Sequence, residues 1–304
     1  MTNPDYIPDS EHRGFMAALS AQLRPFASLA RFDRPIGGWL LYWPCVWGVT
    51  LAGGAYSHWP LLLWLLLGAA SMRGAGCVYN DIIDRDLDAK VARTRARPLA
   101  SGAVSLRAAW IWLFMLCAIG LIVLMQLNPA AIAVALGSIA LVAAYPFMKR
   151  ITWWPQIWLG LVFSWGVPVG WAAVVGANNL APALLLYFGA VLWVVGYDTI
   201  YALQDAEDDA LAGIGSSARA MGSHVRAGVA LCYALALTLW CAAFWQIRPD
   251  GLALLALLPA AAHLAWQVIH LDTMGAVSAL AMFRSNRMTG LLVALACVTV
   301  GSSA

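Results

Sequence analysis

Two short stretches of the chain collect most of its carboxylates. Of the 15 acidic residues among 304, nine lie in NDIIDRDLD at residues 80–88 and DTIYALQDAEDD at residues 198–209. In a helix, Asn80, Asp84 and Asp88 are four residues apart and therefore share one face. Carboxylates at this spacing repel one another, so the first stretch predicts a cation or a basic group beside it.

The second stretch repeats the pattern, because Asp198, Asp205 and Asp209 also share one face if the chain is helical there. Oxygen donors without histidine favour a hard cation, magnesium or calcium, over zinc. Magnesium commonly completes its coordination with water and phosphate oxygens, so the two stretches together predict a magnesium-diphosphate site. For either stretch alone, carboxylates at a solvated helix end stay an open alternative.

Basic and phenolic groups that suit a diphosphate lie on either side of the first stretch and between the two stretches in the sequence. Arg93 and Arg97 follow the first stretch, Tyr145 stands four residues before Lys149, and Arg73 lies seven residues before Asn80 on the same face. The alternatives are ordinary ones: the loop residues are charges flanking membrane helices, Tyr145 is an interfacial anchor, and Arg73 is an ion-pair partner of a nearby carboxylate.

The composition shows which elements must position these groups. Hydrophobic residues make up 62% of the chain and charged residues 11%, with a mean hydropathy of +0.75, which indicates a protein of the lipid bilayer. Because backbone groups in lipid must be paired internally, we expect an all-α fold, a bundle of about nine transmembrane helices. The nine apolar stretches are 37–56, 59–79, 106–126, 130–147, 155–175, 181–201, 227–246, 251–271 and 288–303.

The basic residues predict the orientation of these helices. In the nine-span arrangement, 17 of the 18 Lys and Arg residues flank the side that carries the N-terminus, and only Arg248 lies opposite. The positive-inside rule then predicts that the N-terminus and the loop of Arg93 face the cytoplasm. Residues 1–25 are polar and carry no secretory or transit signal, so we expect a bacterial inner membrane. Basic residues that flank apolar spans argue against nucleic-acid binding, and six scattered cysteines argue for packing rather than disulfides.

Four segments, NDIIDRDLD, RTRARPLASG, YPFMKRITWWPQ and DTIYALQDAEDD, follow one another in the order and spacing of a known family. From about Arg31 to the last span, the chain resembles the UbiA family of intramembrane aromatic prenyltransferases, and most of all its bacterial members that act on 4-hydroxybenzoate. The resemblance implies one prenyltransferase domain over residues 1–304, in which nine helices surround a cytoplasm-facing cavity.

The resemblance also implies a role for each candidate residue. The magnesium ligands would be Asn80, Asp84, Asp88, Asp205 and Asp209. The diphosphate contacts would be Arg31, Arg93, Arg97, Tyr145 and Lys149. Arg73 and Asn80 would meet the aromatic acid, and Asp198 and Tyr201 would line the reacting centre. The additional acids Asp86, Glu207 and Asp208 leave open which of Asp208 and Asp209 binds metal.

The expected reaction is magnesium-dependent transfer of a polyprenyl group from polyprenyl diphosphate to the ring carbon ortho to the hydroxyl of 4-hydroxybenzoate, a step of ubiquinone biosynthesis. The expected partners are these two substrates and membrane lipid, with no nucleic acid and no obligate protein partner. Two alternatives stay open, namely another aromatic acceptor and, from a different class, an ion-coupled transporter. A transporter predicts acids near the bilayer centre, whereas these lie at span ends beside basic loops.

Overall fold

The computed structural model of the chain describes residues 15–90, 94–204, 215–271 and 276–302. Within these ranges all regular structure is helical, which confirms the all-α prediction. Fourteen α-helices are described, and one 3₁₀ turn, Gly222–His224, lies between the tenth and eleventh. In chain order the helices are Phe15–Ala18 (α1), Arg24–Leu29 (α2), Pro35–Leu51 (α3), Trp59–Asp88 (α4), Leu106–Leu124 (α5), Pro129–Ile151 (α6), Pro155–Phe163 (α7), Gly166–Val175 (α8), Leu180–Ala202 (α9), Ser217–Met221 (α10), Val225–Ile247 (α11), Gly251–Leu255 (α12), Leu258–His270 (α13) and Ala276–Gly301 (α14).

Seven helical segments of the described chain are long and apolar enough to cross a membrane. They are Trp59–Asp88, Leu106–Leu124, Pro129–Met148, Pro155–Val175, Leu180–Ala202, Ser217–Ile247 and Gly251–His270. The two other predicted spans also fall on helices, but α3 has only 17 residues and α14 carries Arg284 and Arg287. The membrane character of the chain is therefore confirmed, and the count of nine spans stays a prediction.

Two predicted spans run as pairs of helices because of proline. The ring of Pro168 would clash with the carbonyl of Ser164 in a continuous helix, and α7 ends one residue before that serine. In the same way Pro259 lies four residues after Leu255, where α12 ends. Each break frees backbone groups that turn-type hydrogen bonds then satisfy, such as the bond from Val167 N–H to the Ser164 carbonyl at 2.9 Å.

The chain forms two compact units, one of Met1–Gly38 with Leu66–Met125 and one of Trp39–Leu65 with Gln126–Ala304. The first unit is built around α2, the part of α4 from Leu66 onward, and α5. Its buried core includes Leu29, Val78 and Leu116, and the Trp112 indole N–H donates to the Phe26 carbonyl at 3.1 Å. This core holds the acidic end of α4 against α2 and the turns that follow α4.

The second unit is organised around α9, which packs against α11, α7, α14 and α8. At its centre Trp47, Trp193 and Trp240 are fully buried, with ring centroids 5.1–6.4 Å apart. Two of their indole N–H groups donate at 2.9 and 2.8 Å, from Trp47 to the Gly290 carbonyl and from Trp193 to the Asn286 side chain. Buried indoles need such partners, and here they join α3 and α9 to α14.

Helix α8 approaches α3 closely because three glycines remove the side chains between them. A Cβ on Gly48 would overlap the Val167 carbonyl, and one on Gly170 would overlap the Cys45 carbonyl and lie 2.9 Å from the Val49 nitrogen. Gly166 and Gly170 form a GxxxG pair, the spacing by which membrane helices bring their backbones together.

We therefore expect Gly170→Ala to lower the free energy of unfolding by about 1–3 kcal/mol, the usual cost of overpacking. The atoms that the new methyl would meet are backbone, which cannot turn aside. Thermal unfolding of the purified protein in detergent measures the effect. Gly251→Ala is the matched control, because a Cβ there meets open space. Equal melting temperatures for the two variants would contradict the close approach of α3 and α8.

Candidate active site

Helix α4 is longer than is needed to cross a bilayer, and the first acidic stretch lies at its C-terminal end. Its 30 residues span about 45 Å, whereas the hydrocarbon core of a bilayer is about 30 Å thick. The helix continues through Asn80, Asp84 and Asp88, so these residues do share one face. Asp84 is fully buried and Asp88 nearly so, while the side chain of Asp86 is 89% exposed. The carboxylates of this stretch therefore divide into a buried set and a solvated one.

Asp81 lies at the centre of the buried set, although the sequence pattern did not select it. Its side chain is 1% exposed. Arg31 donates from Nη2 to both carboxylate oxygens at 2.8 and 3.0 Å, and Arg97 donates from Nη1 to Oδ1 at 3.3 Å. The spacing could have revealed it, because Asp81 stands three residues before Asp84 and seven before Asp88, on the same face.

Arg97 connects the chain after α4 back to the end of that helix. The Nη1 atom that contacts Asp81 also donates to Asp88 Oδ2 at 2.7 Å. Thr94 Oγ1 donates to the Asp88 carbonyl at 2.9 Å, and Arg97 N–H in turn donates to the Thr94 carbonyl. The side chain of Arg97 nevertheless stays 23% exposed. The segment thus holds this guanidinium over the carboxylates while leaving part of it open.

Arg31 adopts an unusual backbone conformation to reach Asp81. Its φ is +59°, in the left-handed region that non-glycine residues rarely occupy. The side chain also donates from Nη1 to the Ser28 carbonyl at 3.0 Å. Burial, the largest single influence, lowers the pKa of this guanidinium, but the charges of Asp81, Cys77 and Asp33 and the hydrogen bond to Asp81 together outweigh it, so the pKa of Arg31 is raised above its ordinary value. Arg31 therefore stays a fixed cation, and its ion pair compensates the backbone strain.

Arg73 meets this cluster through the backbone of Arg31. Its Nη1 donates to the Arg31 carbonyl at 3.3 Å, and its side chain is half-buried. Arg31, Arg73 and Arg97 therefore lie with Asp81 and Asp88 in one charged cluster within the first unit. Of the candidate residues, this is the set that the structure brings together.

The second unit positions the other described candidates. Asp198 and Tyr201 lie one turn apart on α9, both half-buried, and the Tyr201 ring is 4.6 Å from the ring of Phe283. Tyr145 lies half-buried on α6. Helix α9 ends at Ala202, so the helix of Asp198 does not extend to Asp205 as the single-face pattern required.

A buried hydrogen-bond chain fixes the neighbourhood of Asp198. The hydroxyls of Thr199 and Ser217 are 2.6 Å apart, and the Ser217 backbone N–H donates to Gln156 Oε1 at 3.0 Å. All three side chains are at least 95% buried. They join α9 to α10 and α7 at Thr199, the residue next to the half-buried Asp198. The backbone beside this carboxylate is therefore rigidly held.

Several candidates lie outside the described residues, namely Arg93, Asp205, Asp209, the side chain of Lys149, and the additional acids Glu207 and Asp208. Their predicted roles stay predictions.

The donors on α4 fit magnesium better than a transition metal. They are carboxylate and amide oxygens, and within the described ranges no group of three or more His, Cys, Asp or Glu side chains is placed to hold a metal by itself. Magnesium suits this incomplete set, because one or two carboxylates with water and phosphate oxygens complete its shell. Asp84 and Asp88, with Asn80 beside them, are the described residues that would contribute.

The sequence profile of the UbiA prenyltransferase family matches residues 41–287. The chain belongs to this family. It is 42% identical over 296 residues to a Drosophila pseudoobscura pseudoobscura protein, covering 96% of this chain and 74% of that one. It is 43% identical over 281 residues to a Rattus norvegicus protein (91% and 74%) and 41% identical over 302 residues to a Homo sapiens protein (95% and 81%). All three are named 4-hydroxybenzoate polyprenyltransferase, mitochondrial.

Solved structures of UbiA homologues share the fold. A homologue from Aeropyrum pernix K1 superposes with a TM-score of 0.71 at 26% identity, covering 86% of this chain and 97% of that one. A homologue from Archaeoglobus fulgidus, bound to GPP and Mg²⁺, gives a TM-score of 0.64 at 17% identity, covering 91% and 100%. The helical architecture is therefore that of the UbiA prenyltransferases.

The relatives correct the predicted location. They are named as mitochondrial proteins of eukaryotes, so the prediction of a bacterial inner membrane with the site facing the cytoplasm is wrong. The physical reason for the error is simple: apolar spans report the thickness of a bilayer and not the organelle that contains it. The multi-pass membrane character is unaffected.

The buried position of Asp81 predicts a large effect of its neutralisation. Asp81→Asn leaves two guanidiniums over an amide, and we expect a loss of stability near the lower end of the ~3–5 kcal/mol typical for breaking a buried ion pair. Thermal unfolding in detergent measures it. Asp86→Asn, in the same stretch but 89% exposed, should change stability by less than about 0.5 kcal/mol. If the two variants unfold alike, Asp81 does not hold the cluster together.

Proposed function

We propose that the protein transfers a polyprenyl group from polyprenyl diphosphate to the ring carbon of 4-hydroxybenzoate ortho to its hydroxyl, with release of diphosphate. A carbon–carbon bond forms, the allylic carbon–oxygen bond breaks with its electron pair going to diphosphate, and the ring carbon loses its proton, which passes to the released diphosphate in the overall balance. The proposal treats the whole chain as one catalytic domain of a mitochondrial membrane, with residues 1–25 a polar leading segment.

The observation that carries this proposal is the identity of 41–43% to relatives of that name over 91–96% of the chain. The matched regions include the segments that hold the charged cluster. The cluster itself supplies what such a reaction requires, since its carboxylates and guanidiniums lie together at one end of α4. A transporter has no comparable support.

Arg31 and Arg97 are assigned to the diphosphate. A guanidinium offers five N–H donors in a planar fork that matches phosphate oxygens. Arg97 uses only Nη1 on the two carboxylates within the described residues, and its exposed fraction leaves other donors for a ligand. Arg93, Tyr145 and Lys149 complete this set in the proposal.

Asn80, Asp84 and Asp88 are assigned to magnesium, together with Asp205 and Asp209. Bound there, the ion would neutralise the negative charge that develops on the leaving diphosphate. The chain's own part is to hold two acidic groups in a fixed position, which burial of Asp84 and the Arg97–Asp88 pair achieve. Preorganised charges of this kind stabilise a transition state without a cost of reorganisation.

Arg73 and Asn80 are assigned to the aromatic acid. A carboxylate that leaves water for a largely apolar site needs a fixed positive partner, or its desolvation prevents binding. Arg73 is such a partner, because one nitrogen is tied to the Arg31 carbonyl and the group cannot swing freely into solvent.

Asp198 and Tyr201 are assigned to the reacting centre. Asp198 orients the phenol and accepts its proton, which raises the electron density at the ortho carbon. Tyr201, packed on Phe283, helps to enclose the allylic cation in an apolar environment that excludes water. The rigid hydrogen-bond chain at Thr199 keeps the neighbouring carboxylate in place.

The deciding experiment is an assay of membranes containing the protein with a labelled prenyl diphosphate, Mg²⁺, and a panel of acceptors. The proposal expects prenylated 4-hydroxybenzoate as the main product. Labelling of homogentisate or a naphthoate in preference to 4-hydroxybenzoate would keep prenyl transfer but reject the acceptor. No transfer to any member of the panel would reject the function.

A divalent cation should be required for turnover. EDTA is expected to abolish activity and added Mg²⁺ to restore it. Asp84→Ala should reduce kcat by more than about a hundredfold, in line with the loss of one preorganised charge interaction. Asp86→Ala, exposed on the same helix, is the control and should retain activity. Near wild-type turnover in EDTA would contradict the metal assignment.

Arg73→Lys should raise the KM for 4-hydroxybenzoate by about tenfold or more while changing the KM for prenyl diphosphate little. A bidentate fork becomes a point charge, so the loss concerns recognition of the carboxylate. Steady-state kinetics with each substrate varied in turn measure the split. An unchanged acceptor KM in a well-folded variant would show that Arg73 is a structural ion-pair partner instead.

A further inference from the structure

Gly37 lies directly against the guanidinium of Arg73. It occupies the first turn of α3, and a Cβ built on it would overlap Nη2 and Nε of Arg73 and lie 2.6 Å from Cζ. Carbon atoms at van der Waals contact are about 3.5–4.0 Å apart, so even a methyl group has no room while the guanidinium keeps its place. The next residue, Gly38, faces open space, because a Cβ there would have no atom within 4 Å.

Hydrogen bonds alone do not hold Arg73 in this place. Nη1 makes a long bond of 3.3 Å to the Arg31 carbonyl, and Nε is buried with no acceptor among the described residues. A buried donor without a partner is unfavourable, so hydrogen bonding does not explain why the guanidinium lies here. The guanidinium fits against α3 because Gly37 has no side chain.

We propose that Gly37 is a positioning residue that sets the orientation of Arg73 for the carboxylate of an aromatic acid. This inference rests on the proposed role of Arg73 and extends it to a residue that touches no substrate. The carbonyl of Arg31, fixed by the Arg31–Asp81 pair, limits the guanidinium on one side, and the bare backbone of Gly37 limits it on the other.

A methyl group at position 37 would displace the guanidinium by roughly 1 Å, the difference between the overlap and van der Waals contact. The atoms it meets are the far end of a flexible side chain, so the protein tolerates the change by moving Arg73. A shift of this size matters for bidentate recognition, since a misplacement of about 1 Å can cost on the order of a hundredfold in rate. The expected signature is therefore altered acceptor recognition in a folded protein.

The test compares Gly37→Ala with Gly38→Ala in the full-length protein, each in the wild-type and the Arg73→Lys background. Both changes add one methyl to the same helical turn and gain the same helix propensity. We expect Gly37→Ala to raise the KM for 4-hydroxybenzoate at least tenfold over Gly38→Ala, with the KM for prenyl diphosphate within twofold. In the Arg73→Lys background, where the slimmer ammonium leaves room, the further effect should fall below twofold.

Two results would overturn the inference: an acceptor KM for Gly37→Ala equal to that of Gly38→Ala, or an effect of the same size in both backgrounds, which would mean that Gly37 does not act through Arg73. The melting temperature tests the contact between Gly37 and Arg73 independently of the proposed role of Arg73. If Arg73→Lys leaves the acceptor KM unchanged, the role of Arg73 fails. The contact with Gly37 is then supported if Gly37→Ala lowers the melting temperature only when Arg73 is present, and rejected otherwise.

Discussion

A buried carboxylate between two guanidiniums governs the first unit of this protein. Asp81 is 1% exposed, and without Arg31 and Arg97 its buried charge would cost several kcal/mol. Each arginine brings a further element with it. Arg31 accepts a left-handed backbone conformation just before α3 begins, and Arg97 draws the turns after α4 onto the end of that helix. The requirement to neutralise one charge thus fixes where two connections of the chain run.

The second unit is held by other means, chiefly neutral polar groups and close backbone contacts. Tyr233 donates to Gln267 at 2.8 Å, Asn286 donates to the same oxygen at 3.3 Å, and both side-chain amides are fully buried. Lipid gives helices no hydrophobic reason to associate, so glycine contacts and satisfied polar groups supply the specificity. Such a scaffold positions Asp198 and Tyr201 on α9, since that helix packs on most of its neighbours in the unit.

Hydropathy and spacing predicted much of the fold and part of the site. The apolar stretches located the membrane helices because lipid-facing side chains must be apolar whatever their detailed packing. Hydropathy averaged over a whole stretch does not reveal the helix breaks at Pro168 and Pro259. Each break depends on a clash between one proline ring and the carbonyl four residues earlier. The second apolar span was predicted to end at residue 79, but its helix continues to Asp88, because the polar residues there have helical spacing but are not hydrophobic.

Asp81 was missed because counting in fours from Asn80 passes over it. Its burial also depends on Arg31, which lies 50 residues earlier in the chain. The contact of Gly37 with Arg73 could not be predicted from the sequence either, because only the packing of the helices distinguishes Gly37 from Gly38.

Charge balance joins the structural and the catalytic roles of these groups. Among the described residues of the first unit, the cluster contains the guanidiniums of Arg31, Arg73 and Arg97 and the carboxylates of Asp81 and Asp88, and the buried carboxylate of Asp84 lies on the same helix face. It is therefore close to neutral before any ligand arrives, although Asp81 is fully engaged by arginine. A diphosphate alone would leave excess negative charge in a medium of low dielectric constant, and a divalent cation alone would leave excess positive charge. Together they add little net charge, so a cluster that is neutral by construction favours the pair over either ion. On the proposed assignment, arginines that already hold carboxylates would still serve a diphosphate, because a cation would neutralise Asp84 and Asp88 while phosphate oxygens used the donors of Arg97 that contact no described carboxylate.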